Sequence, residues 1–244
     1  VNSYILKKSG ITGKTPDPFG GEIQREPGNG EPTGILKETA MDLIKLGDVK
    51  TERSPEELAE KTWQGYLLAM KEARELGVTS VQNAGSADFE AYEKLQKEGE
   101  LTCRIDIGKP LTGDTERLKQ YDEFRKKYPA AGNWIRFGYL KAFIDGTIGS
   151  GTALMFEPFT DNPGTSGLAM MPYGEFERMV VTADSMGFQI GVHAIGDKGN
   201  NWVLNAYEKA QKSRDIASVN ESLEFDGKAM LQADRTLNYA MLKK

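Results

Sequence analysis

Apolar positions along this chain follow two alternating rhythms. Short β-rich runs are each followed by a longer stretch in which apolar residues return every three or four positions, the spacing of an amphipathic helix. The clearest helix opens at Ser54-Pro55-Glu56-Glu57, which supplies an N-cap, a proline at the first helical position and a glutamate three residues after the cap. Leu58, Thr62, Tyr66, Met70 and Ala73 then recur on one face, and Gly77 ends the run. Val78-Thr79-Ser80-Val81-Gln82 predicts a strand that ends at Asn83-Ala84-Gly85. Further helices are predicted over 87–98, 113–128, 173–186 and 199–212. Further strands are predicted over 101–107, from Trp134 into Ile144, and over 188–193.

The first part of the chain has a different texture. Residues 1–10 predict a helix ending at Gly10, and nothing resembling a cap or leader precedes Val1, so the chain is expected to enter mid-domain. Residues 12–38 are rich in turn formers. Glu22-Ile23-Gln24-Arg25 and Thr33-Gly34-Ile35-Leu36 predict a β-hairpin joined through Asn29-Gly30, with a helix to follow over 37–46. From residue 78 onward, strand and helix alternate, which signals parallel βαβ units and an α/β fold. Four such strands are predicted, where a complete (β/α)8 barrel needs eight and about 250 residues. The chain is therefore either the central part of such a barrel or an open α/β sheet.

Composition narrows the classes of function. At 244 residues the length suits a sizeable core. A net charge of −5 with both signs interspersed argues against a nucleic-acid surface. No apolar run approaches the roughly 20 residues that span a bilayer, so no membrane segment is expected. The single cysteine, Cys103, excludes an internal disulfide and fits a reducing, cytoplasmic setting. It lies in an alternating strand pattern and is expected to be a small buried filler.

The candidate chemistry gathers around the only histidine, His193, in Gly191-Val192-His193-Ala194-Ile195-Gly196-Asp197. An apolar run leads into it and a glycine-punctuated turn follows. That puts an imidazole at the C-terminal end of a buried strand, where α/β barrels keep their chemistry. A neutral imidazole is a good ligand for zinc-like ions. Lys141, in Leu140-Lys141-Ala142-Phe143-Ile144-Asp145-Gly146, is a solvated or snorkelling lysine on its residue type alone. Asp197 suits either a helix N-terminus or a substrate contact. The run from Gly146 to Gly151 lacks the Lys-Ser/Thr ending of a phosphate loop.

Five ordered segments resemble the metal-dependent amidohydrolases of the N-substituted formamide deformylase type. They are Gly20-Gly21-Glu22-Ile23, Gly30 to Glu38, Leu76-Gly77-Val78-Thr79-Ser80-Val81-Gln82, the run from Leu140 to Gly146, and Val192 to Asp197. The resemblance covers residues 1–212 and implies the central part of a (β/α)8 TIM-type barrel with a β-hairpin insertion near 20–38. Residues 213–244 form an unassigned tail. It further implies that His193 and Lys141 are metal positions, Lys141 matching a lysine that is commonly carboxylated. Asp145 and Asp197 are the implied catalytic carboxylates. One or two divalent ions, zinc foremost, would activate water against a carbon–nitrogen bond other than a peptide bond. The family's His-X-His pair and its later histidine have no counterpart in this sequence, where residues 215–225 contain no histidine.

The expected partner is a small-molecule substrate. Unpaired strand edges in a partial barrel also predict self-association into a homo-oligomer. Two other readings follow from the residues: a non-catalytic barrel remnant or incomplete record of a longer enzyme, and an open α/β enzyme using Lys141 or Asp145 as its base.

Overall fold

The computed structural model describes residues 1–45, 54–84, 88–129 and 134–213. Along the chain these form α1 (Ser3–Ser9), β1 (Gly21–Arg25), β2 (Pro32–Glu38), a 3-10 turn (Thr39–Leu43), α2 (Pro55–Glu75), β3 (Ser80–Asn83) and α3 (Phe89–Glu98). Then come β4 (Arg104–Pro110), α4 (Thr115–Lys127), β5 (Ile135–Phe143), α5 (Tyr173–Ser185), β6 (Ile190–His193) and α6 (Asp197–Ser213). The alternation of strand and helix is the α/β class. No helix among the described residues is long and apolar enough to cross a membrane. Most of the unassigned tail, residues 214–244, lies outside the described residues.

The chain divides into two compact units, Lys45–Lys141 and a second made of Val1–Ile44 with Ala142–Lys244. In the first, Ser54 caps α2: its side chain accepts from Glu57 N, and the Glu57 carboxylate accepts from Ser54 N, the reciprocal box that the sequence predicts. Strands β3, β4 and β5 pair in parallel, with Val81 opposite Ile105 and Ile105 opposite Ile135. Leu95, Ile105, Ile107, Leu118 and Leu140 are fully buried, and Phe89 packs its ring against Phe124 and Tyr128 at 5.4 and 4.6 Å. Cys103 is buried, as expected of a filler.

One irregularity in this sheet has a large effect. Ile107 lies opposite Phe137 but Gly108 lies opposite Tyr139, which leaves Gly138 as an extra residue in β5. A bulge reverses the in–out alternation of everything beyond it. Ile135 and Phe137 are buried before the bulge, whereas Leu140 and Ala142 are buried after it. Odd-numbered residues therefore change face at Gly138, and Lys141 leaves the face that Phe137 holds.

In the other unit, α1 and the antiparallel pair β1–β2 enclose a small core of Leu6, Ile11, Ile23 and Ala40. The turn between the strands spans 26–31: Glu26 N donates to Glu31 O, and Gly30 N donates to Glu26 O, both at 2.9 Å. The helix predicted over 37–46 is not formed. Lys37 pairs across the ladder with Glu22, its Nζ 3.1 Å from the Glu22 carboxylate, which keeps it in β2. Glu38 then adopts φ 49 and ψ −126, and the chain continues as the 3-10 turn. A side-chain-bearing residue holds such a conformation at a cost of about 1–3 kcal/mol. Helices α5 and α6 lie side by side, with the Tyr173 and Trp202 rings 5.3 Å apart. The end of β5 neighbours β6, and just past it Ile144 N donates to His193 O at 3.0 Å.

Candidate active site

His193 is the last residue of β6 and is half-buried. Its Nε2 lies 3.0 Å from the carbonyl oxygen of Gly146. A carbonyl can only accept, so Nε2 carries the proton and donates, and in the neutral ring Nδ1 is left with the lone pair. Imidazole ligands are normally oriented this way, one ring nitrogen tied to a carbonyl or carboxylate and the other presented to the ion. The Phe143 ring, half exposed, lies 5.4 Å from the imidazole.

The two carboxylates that the sequence assigns to catalysis sit in the same unit as His193, and both are engaged with backbone. Asp145 is 1% exposed. Its Oδ2 accepts from Leu154 N at 2.8 Å and Gly196 N at 2.7 Å, while Oδ1 accepts from Ile195 N at 3.0 Å. One side chain thereby ties the long segment after β5 to the turn after His193. Loss of such an acceptor would strand three N–H groups, at about 1–3 kcal/mol for each one that is buried. A general base must reach the proton it takes, and Asp145 reaches backbone amides. Asp197 is exposed at the start of α6. Its Oδ1 accepts from Phe156 N at 2.9 Å and Lys198 N at 2.7 Å, which joins the same long segment to the helix and places a negative charge where the helix dipole favours it.

Lys141 belongs to the other unit, on β5 beyond the bulge. It is half-buried, and burial holds its ammonium below the usual lysine range. Burial disfavours the charged form and so favours the neutral amine, the form that can react with carbon dioxide. The bulge that sets its face rests on Asp106: a side chain at Gly138 would collide with the Asp106 carboxylate. Asp106 in turn accepts from Arg136 Nη2 at 2.9 Å. These two, with Ser80, Val81, Gln82 and Arg104, line a cavity of about 430 Å³. A glycine inside a strand pattern is the sequence signal for a bulge, and it is the one cue to this arrangement that the sequence carries.

Among the described residues, no group of three or more His, Cys, Asp or Glu side chains is placed to hold a metal ion. His193 through Nδ1 and Lys141 after carboxylation would each suit a divalent ion. A usual hydrolytic centre has three protein ligands, more than either residue supplies. The donors present fit part of such a site.

The described residues thus form an α/β fold with a histidine at the C-terminal end of β6. The profile of the amidohydrolase family matches residues 1–238, and the chain belongs to that family. It is 33% identical over 216 residues to the putative amidohydrolase YtcJ of Bacillus subtilis, covering 86% of this chain and 38% of that protein. It is 25% identical over 228 residues to N-substituted formamide deformylase of Arthrobacter pascens, covering 90% of this chain and 40% of that protein. Among solved structures, an uncharacterized metal-dependent hydrolase from Pyrococcus furiosus matches with a TM-score of 0.56 and 26% identity, over 86% of this chain and 41% of that one. The chain thus spans well under half the length of the curated relatives it matches.

Proposed function

We propose that this chain forms the central part of a (β/α)8 barrel in a metal-dependent hydrolase that acts on a carbon–nitrogen bond other than a peptide bond, of the amide or formamide type. The observation that carries this reading is the 3.0 Å contact of His193 Nε2 with Gly146 O at the end of β6, which leaves Nδ1 for an ion. Family membership and the relatives' activities support it. A bound divalent ion, zinc in our reading, supplies Lewis-acid activation of water. His193 would be a metal ligand through Nδ1, and Lys141, once carboxylated, is a further metal position in this reading. Asp145 and Asp197 hold the segment after β5 against the turn that carries His193, so we assign them to positioning rather than proton transfer. The exposed Phe143 ring beside the imidazole offers an apolar surface to a small-molecule substrate. A cytoplasmic setting is consistent with the lone buried thiol.

The test is metal analysis of the purified protein together with hydrolysis assays on a panel of N-substituted formamides and amides. Stoichiometric divalent metal is expected, with H193A losing both the metal and the hydrolysis. Intact folding with no tight metal and no hydrolysis would favour the non-catalytic remnant instead.

A further inference from the structure

The carbonyl that accepts from His193 belongs to a peptide group that is itself held by a buried acidic relay. The Gly146–Thr147 peptide presents its oxygen to His193 Nε2 at 3.0 Å and its N–H to Thr152 Oγ1 at 3.0 Å. Thr152 is completely buried, and its hydroxyl proton goes to Glu38 Oε1 at 2.6 Å. Gly146 N donates to Thr152 O at 3.2 Å. The approach is close enough that a side chain on Gly146 would run into both the Glu38 carboxylate and the Thr152 hydroxyl.

The direction of every bond in this chain follows from one charge. A carboxylate only accepts, so Thr152 must donate to Glu38. With its single proton spent, the hydroxyl accepts from Thr147 N–H. That fixes the peptide plane with its oxygen toward the imidazole, so Nε2 must be the protonated nitrogen. Consecutive hydrogen bonds polarise one another, which raises the electron density on Nδ1. Glu38 is also the only non-glycine residue with a positive φ among the described residues.

We propose that Glu38 is a positioning residue that sets the tautomer of His193 through Thr152 and the Gly146–Thr147 peptide, keeping Nδ1 as the free donor. Its importance for metal binding rests on the reading of His193 as a ligand; the tautomer itself can be measured without metal. His193 is the only histidine of the 244 residues, so its side-chain ¹⁵N resonances are unambiguous in the labelled chain. The expected spectrum at a pH where the ring is neutral shows a single protected Nε2–H. E38A and T152V should lose that protected proton and mix the two tautomers, whereas E38Q and T152S, which keep an acceptor and a hydroxyl, should retain it. Zinc affinity, read by competition with a chromophoric chelator, should fall about 10- to 100-fold in E38A and T152V, the range for outer partners of metal-bound histidines.

An unchanged Nε2–H signal and unchanged zinc affinity in a folded E38A or T152V chain overturns the proposal. If E38A does not fold, the comparison of T152V with T152S decides it on the same signals. A wild-type chain that binds no zinc, yet loses the Nε2–H signal in E38A, sustains the relay and refutes the metal reading instead.

Discussion

Asp106 sits 9% exposed in β4 with Arg136 as its charge partner. Its Oδ2 accepts from Arg136, while Oδ1, pressed against Gly138, has no hydrogen-bond partner among the described residues. Burial raises its carboxyl above the ordinary value of 3.8, and the Arg136 guanidinium only partly opposes that. A carboxyl that keeps its proton to higher pH when folded than when unfolded stabilises the fold at low pH. That contribution is lost as pH rises through the folded value. Asparagine at this position has no such dependence. D106N should therefore gain stability relative to wild type as pH rises from below 3.8 to neutrality, read as the difference between urea-unfolding midpoints at matched pH. A difference that stays flat, or that moves the other way, would mean Arg136 compensates the charge fully. The same residue scale shows the reach of sequence reasoning. His193 and Lys141 stand out by residue type and motif, but Asp145 shows its role only through Leu154, Ile195 and Gly196, amide partners 9 to 51 positions away.

At the scale of elements, the bulge in β5 decides which residues share a face. Because a side chain at Gly138 would collide with a buried carboxylate, G138A should cost about 1–3 kcal/mol, the usual penalty of overpacking. Chemical denaturation of the variant against wild type measures it, and an unchanged midpoint would show that Asp106 can move aside. Local signals were legible here wherever both partners lay within a turn of each other. The Ser54–Glu57 box and the glycine stops are of this kind. The helix expected over 37–46 failed because its competitor was a cross-strand pair, Lys37 with Glu22, which no helical periodicity reveals. Gly138 signals a bulge, but the group that forbids a side chain there, Asp106, lies 32 positions earlier and is not read from the strand pattern. The four-strand alternation itself was legible because each βαβ step is built from local hydrophobic periods.

At the scale of the whole molecule, the sheet carries an edge. Among the described residues, β3 pairs with β4 and with no other strand, so one side of Ser80–Asn83 offers its backbone groups to whatever can reach them. Natural proteins protect such edges with short strands, charge, proline or a covering element. This one is short, but its residues are Ser80, Val81, Gln82 and Asn83, with no charge or proline among them. The relatives that the chain matches are more than twice its length, so a family member has additional chain with which to cover a sheet edge. Expressed as these 244 residues, the protein should self-associate through unpaired strand backbone. Sedimentation velocity over a concentration series is then expected to show a weight-average coefficient that climbs with loading, and high salt should not reverse the trend, because backbone pairing is not an ion-pair contact. A single monomeric boundary at every concentration would mean that the β3 edge is already satisfied within the chain.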